Sequence, residues 1–151
     1  MEEKPKIKDH TVWEGTYKGI CFKIVKWNRE YTPETEQFND GYKWNYYIFI
    51  KPRKLVMTRK LTTKDGNVYE PRVDYYKMYP DVEMHCGLTF WNGHMSSRIG
   101  KRDVDEIGCD YSHLWDYEYE GSSKLKTRTV EEIIEDVKET IDKLPKDLFF
   151  N

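Results

Sequence analysis

The segment that most restricts the fold is the last one, residues 129–145. Thr129, Val130, Glu131 and Glu132 make an S/T-x-x-E capping box. Val130, Ile133, Ile134, Val137, Ile141 and Leu144 then recur at helical spacing as one apolar stripe. Glu131 and Glu132 stand in the first turn and Lys143 in the last, the order that the helix dipole favours. Pro145 ends the helix. Such a stripe has to lie on something. What precedes it is a run of period-2 segments, not a second helix. The pattern predicts an α+β domain: a mostly antiparallel, twisted sheet with one C-terminal amphipathic helix packed on one face.

The strands are read from alternation and from turn residues. In 17–26, Ile20, Phe22 and Ile24 alternate with Cys21, Lys23 and Val25. Residues 28–43 are polar, with Pro33, Asn39, Asp40 and Gly41, and read as a loop. Residues 44–50 are aromatic and β-branched and stop before Pro52. A third strand is expected over 55–61, a turn at Asp65, Gly66 and Asn67, and a return over 68–76. The clearest alternation is 82–91, with Val82, Met84, Cys86, Leu88 and Phe90 on one face. Asn92 and Gly93 read as a turn, 94–104 as a polar segment, and 106–111 as a short strand with Ile107, Cys109 and Tyr111 inward. Residues 1–12 form a charged, flexible lead-in, and 13–151 a single globular domain.

Composition limits what the domain does. Only 38% of the residues are apolar and 34% are charged, yet 15% are aromatic, which sets the chain apart from disordered sequences. There is no alanine, so large side chains with polar tips must build the core. A net charge of -2 removes the broad basic footprint of a duplex-DNA binder. The longest apolar run, 46–50, is too short to cross a membrane, and the N-terminus lacks an apolar signal core. Three cysteines, none in a C-x-x-C pair, fit a reduced, cytoplasmic protein.

The chemistry concentrates in two segments. Paired as neighbours, strands 82–91 and 106–111 would set His85 and Asp110 on one non-core face, with Gly87 and Gly108 leaving it open to a ligand. Thr89 shares that face. His113 and Asp116 follow Asp110 at three-residue spacing, walled by Trp91 and Trp115. Two carboxylates and two imidazoles with aromatic walls suit a polar ligand or acid–base chemistry. The same residue types also cap turns. For a metal, strand parity leaves one set: His85, Asp110 and either His113 or Asp116. That spacing matches no zinc signature, and no metal or cofactor is expected. Phosphate-cradling glycine loops, the G-x-S-x-G frame and paired H-x-[ST] motifs are missing. Basic residues gather at Lys51, Arg53, Lys54, Arg59 and Lys60 and again at Arg98, Lys101, Arg102, Lys124, Lys126 and Arg128. Such runs are usually solvated faces, and the functional reading is a phosphate clamp, with Arg98 and Arg102 as forked donors.

The motif residues Asp81, Val82, His85, Gly87, Leu88, Thr89 and Phe90, then Ile107, Gly108, Asp110, His113 and Asp116, followed by a closing helix, resemble a family of small phage and prophage proteins. Their pattern runs D-V-x-x-H-G-G-L-T-[FY]-S, then G-F-D-x-A-H-x-x-D. Cys86, Trp91 and Ser112 depart from it. The resemblance implies a phage-encoded, anti-defence protein. The expected activity is a homo-oligomeric sponge that sequesters a small anionic, nucleotide-like immune signal. Its ligand-binding residues would be His85, Gly87, Thr89, Trp91, Arg98, Arg102, Gly108, Asp110, His113, Trp115 and Asp116. Two alternatives stand beside it: a hydrolase working from the same face, and an inhibitor that docks on a host defence factor.

Overall fold

The computed structural model describes residues 10–28, 42–95, 101–111, 119–120, 124–125 and 128–150. Five strands form one antiparallel sheet: β1 (His10–Tyr17), β2 (Ile20–Asn28), β3 (Tyr42–Ile50), β6 (Phe90–Met95) and β7 (Arg102–Asp110). Their order is β1-β2-β3-β7-β6. Between β3 and β6 run β4 (Leu61–Thr62), β5 (Val68–Tyr69) and a one-turn helix, α1 (Tyr75–Met78). The short β8 (Tyr119–Glu120) and β9 (Lys124–Leu125) pair with each other. Helix α2 (Val130–Asp142) closes the chain and is followed by a 3-10 turn, Lys146–Leu148. The α+β class read from the sequence is the class of the molecule.

Helix α2 forms where the capping box put it. Thr129 is extended, at φ -101° and ψ 158°, and its Oγ1 accepts the Glu132 N–H at 3.3 Å. Ile133, Val137 and Ile141 are fully buried on β2 and β3. They meet Ile20, Ile24, Tyr46, Ile48, Ile107 and Cys109, which the pleat turns to that face. The same core takes in Met78, Tyr79, Val82, Met84 and Leu88 from the segment before β6, and Leu144 and Leu148 after α2.

The chain without alanine fills its sheet by laying rings over glycines. In the β3–β7 register Tyr47 faces Gly108, and in β1–β2 Phe22 faces Gly15. A Cβ on Gly108 would stand 2.4 Å from Tyr47 Cδ1 and 2.9 Å from the Tyr46 carbonyl oxygen. The ring can swing but the backbone cannot. Gly108→Ala is therefore expected to cost about 1–3 kcal/mol, read as a lower urea midpoint. An unchanged midpoint would show that the sheet absorbs the methyl freely.

Several expectations need correction. Residues 82–89 are not a strand; only Phe90–Met95 pairs with β7. The chain turns instead: the Gly87 N–H donates to the Met84 carbonyl at 3.0 Å, and Cys86 and Gly87 take φ of 53° and 97°. Left-handed backbone cannot continue a strand, and at Cys86 it carries strain that glycine would avoid. The turn keeps Val82, Met84 and Leu88 buried but sends Cys86 out to solvent and leaves Phe90 exposed.

Asn92 and Gly93 lie inside β6, where Gly93 makes room for the Trp91 ring and the Arg102 side chain. Part of the polar segment 94–104 is paired too, since β6 runs to Met95 and β7 starts at Arg102. The strand expected over 55–61 shrinks to the two residues of β4, plus one bridge between Met57 and Val73. The return over 68–76 is paired only at those places. At the N-terminus, His10, Thr11 and Val12 belong to β1 and pair with Trp27, Lys26 and Val25, so these three are not part of a flexible lead-in; the rest of that expected segment, 1–9, lies outside the described residues.

Candidate functional site

The turn at 83–87 stands against α2 and leaves a cleft of about 240 Å³. Glu83, Met84 and His85 line one side, Asp136, Glu139, Thr140 and Lys143 the other, and Tyr46 lies between them. The His85 ring lies flat on Tyr111, with centroids 3.9 Å apart and planes 9° apart. The His85 backbone N–H donates to the Tyr46 hydroxyl at 2.9 Å. That hydroxyl shares a 2.8 Å hydrogen bond with Thr140 Oγ1. The Tyr111 hydroxyl donates to Asp136, and Arg128 lies 5.0 Å from the Tyr111 ring centroid. Lys143 Nζ stands 3.4 Å from Glu83 and 3.1 Å from Glu139, tying the turn to the helix.

Burial pushes the Tyr46 and Tyr111 phenols well above their usual range, with the Asp136 carboxylate adding to the effect at Tyr111. Both therefore act as neutral groups that fix the frame. Glu83, Asp136 and Glu139 face one ammonium, so the lining accepts hydrogen bonds more than it donates them. Amino groups, hydroxyls and cations fit it better than a bare phosphate does.

The predicted site residues that the structure describes are not gathered in one place. Arg98, His113, Trp115 and Asp116 lie outside the described residues. His85 and Gly87 share the turn, and nothing lies within 4 Å of where a Gly87 Cβ would be. Thr89 anchors the turn to the sheet: its N–H donates to the Gly108 carbonyl at 2.9 Å and its carbonyl accepts from Tyr75. Gly108 is not an opening, because Tyr47 covers it. Asp110 pairs with Asn45, on the sheet face away from Tyr46 and Cys109. His85 stands on the Tyr46 face, so the sheet separates the two. The reason is parity: the turn moves His85 to the helix side, whereas Asp110 keeps its place in the strand.

Trp91 and Arg102 serve a buried carboxylate. Asp105 is fully buried and accepts from the Tyr79 hydroxyl, from Trp91 Nε1 at 3.1 Å and from Arg102 Nη1 at 2.7 Å. Arg102 also donates to the Arg53 carbonyl. Arg53 in turn forks onto Asp81 and Asp147 and holds both carboxyls below their usual range. The phosphate clamp expected of Arg102 is already spent on Asp105.

The far face of the sheet carries a second polar group. Glu106 is buried; Lys23 Nζ stands 3.0 Å from its Oε2 and His94 Nε2 3.0 Å from its Oε1. Tyr47, Phe49 and Phe90 surround it, with His94 edge-on to Phe49 and Tyr47 edge-on to Phe90. Strand parity hinted at neither carboxylate, since one residue of any adjacent pair must face inward. Thr140 could have been found. It falls in step with Ile133, Val137 and Leu144 on the apolar stripe, and a buried hydroxyl needs a partner.

Among the described residues, no group of three or more His, Cys, Asp or Glu is placed to hold a metal ion. No described helix is long and apolar enough to cross a membrane. No protein-family model matches the chain, and no curated protein or solved structure is detectably similar to it. The phage resemblance therefore rests on its motif residues alone.

Proposed function

We propose that the chain is a binding protein for a small nucleotide-like ligand, seated in the cleft between the 83–87 turn and α2. The observation that carries this reading is the His85–Tyr111 stack beside three carboxylates. A frame locked by Tyr46, Thr140 and Tyr111 suits tight holding. The carboxylates would take the amino and hydroxyl groups of a nucleoside, and Lys143 is the cation within reach of an anionic group. The volume sharpens the ligand. Pockets for drug-sized molecules run from about 300 Å³ upward. A cleft of about 240 Å³ suits one nucleoside unit better than a dinucleotide. With the motif resemblance, the role we assign is sequestration of a host immune signal by a phage product.

The test is incubation with nucleosides and mononucleotides, heat release, and analysis of the ligand. Intact ligand is the expected result; converted ligand would make the protein a hydrolase. His85→Ala should weaken binding at least about tenfold, a contact of roughly 1.4 kcal/mol, with the protein still folding cooperatively and its midpoint lowered only by the lost ring stack, about 0.5–1.5 kcal/mol. Asp110→Ala, on the far face, should leave binding alone. Equal losses from both variants would move the site away from this cleft.

A further inference from the structure

Residues 54–73 form an arm that the ligand cleft does not use. Its backbone is paired at a few places: Thr58 N–H to the Arg72 carbonyl at 2.8 Å at the Met57–Val73 bridge, Thr63 N–H to the Asn67 carbonyl at 2.9 Å at the turn, and β4 to β5 between them. Val56 and Val73 pack against the core, but the other apolar side chains of the arm stay in water. Leu55, Met57, Leu61, Val68 and Tyr69, with Tyr76 just beyond, are between 45% and 58% exposed. They are six of the eleven large apolar side chains exposed among the described residues. A two-stranded hairpin is marginal by itself in water, and Leu61 and Tyr69, paired across it on one face, are the kind of exposed apolar surface that marks a contact.

Charge indicates what covers it. Residues 54–72 hold five Lys or Arg against two acids. Helix α2 is the reverse, with six acids against Lys138. Beside the ligand cleft, and sharing Asp136, Glu139 and Lys143 with it, a second cleft of about 410 Å³ runs between α2 and Tyr17, where Glu135, Asp136, Glu139 and the Lys18-paired Asp142 outnumber Lys138 and Lys143. Within one chain α2 rests on β2 and β3. We infer that the arm of one copy lies along the acidic α2 cleft of a second copy, and that the exchange is reciprocal.

A two-fold contact of this kind is self-complementary and closes as a dimer. The arm and the α2 residues other than the buried Ile133, Val137, Thr140 and Ile141 together match the roughly 20–30 residues a side of a standard interface. The exposed apolar residues favour a protein partner over a nucleic acid, whose contacts are mainly basic and polar.

Sedimentation velocity tests this across micromolar concentrations. The wild type is expected to be a dimer. Leu61→Ser/Tyr69→Ser should weaken association at least tenfold. Arg59→Glu/Lys64→Glu and Glu131→Lys/Glu135→Lys should each be monomeric, and an equimolar mixture of the two should form a heterodimer. Misfolding cannot give that rescue, because the heterodimer needs both chains folded, with the reversed arm of one on the reversed helix of the other. A monomeric wild type overturns the inference. So does a dimer indifferent to the Leu61/Tyr69 variant, a mixture that stays monomeric, or an arm that instead retards single-stranded RNA.

Discussion

Asp105→Ala is expected to lower the unfolding free energy by about 3–5 kcal/mol, the cost of leaving a buried charge without its partner. Asp105 is fully buried, and the Arg102 side chain beside it is only 11% exposed. Without the carboxylate, the guanidinium keeps its desolvation cost, and the Tyr79 hydroxyl and Trp91 N–H lose their acceptor. Total stability for a domain is only about 5–15 kcal/mol, so this one change consumes much of it. The double variant Asp105→Leu/Arg102→Met removes both charges and should lose less than Asp105→Ala alone. Urea unfolding of the two variants checks the order; a double variant that is the weaker of the two would mean that the pair stabilises through more than mutual compensation.

The second large effect is on alkaline stability. Burial raises the proton affinity of Tyr46, Tyr79, Tyr111 and Cys109. In the unfolded chain the phenols titrate near pH 10 and the thiol near 8.5. The native state therefore keeps protons that the unfolded state releases. The stability from these groups is complete below the unfolded values and is lost as pH rises above them. Each group contributes a slope of up to about 1.4 kcal/mol per pH unit. The urea midpoint should hold to about pH 8.5 and fall steeply beyond about pH 10. Tyrosinate absorbance should show at least three of the 12 tyrosines, Tyr46, Tyr79 and Tyr111, titrating only with unfolding. Smooth titration of all of them in the folded protein would contradict the packing around Tyr46 and Tyr111.

Both effects rest on contacts that the linear chain does not display. Asp105 meets residues 14 and 26 positions away, and Tyr46 meets Thr140 across 94. Residues 82–91 show why local pattern misleads here. The alternation of Val82, Met84 and Leu88 is real and does track burial. A turn meets the same requirement as a strand, and only Gly87 signalled the difference. Gly108 misleads in the other direction. Its small size is a seat for Tyr47, which is visible only once β3 and β7 are paired in register.

What the sequence determined by itself is what neighbours decide among themselves: the α2 cap and stripe, the cores of β2 and β3, and the inward set Ile107, Cys109 and Tyr111. These follow from the periods of 3.6 and 2, which operate over a few residues. Tertiary structure alone decided the rest. It set His85 on the helix side and Asp110 on the far side, spent Arg102 on Asp105, and aligned α2 with the 83–87 turn to make a cleft. Each of those depends on which strand lies beside which and in what register, and a shift of one residue would turn every side chain to the opposite face.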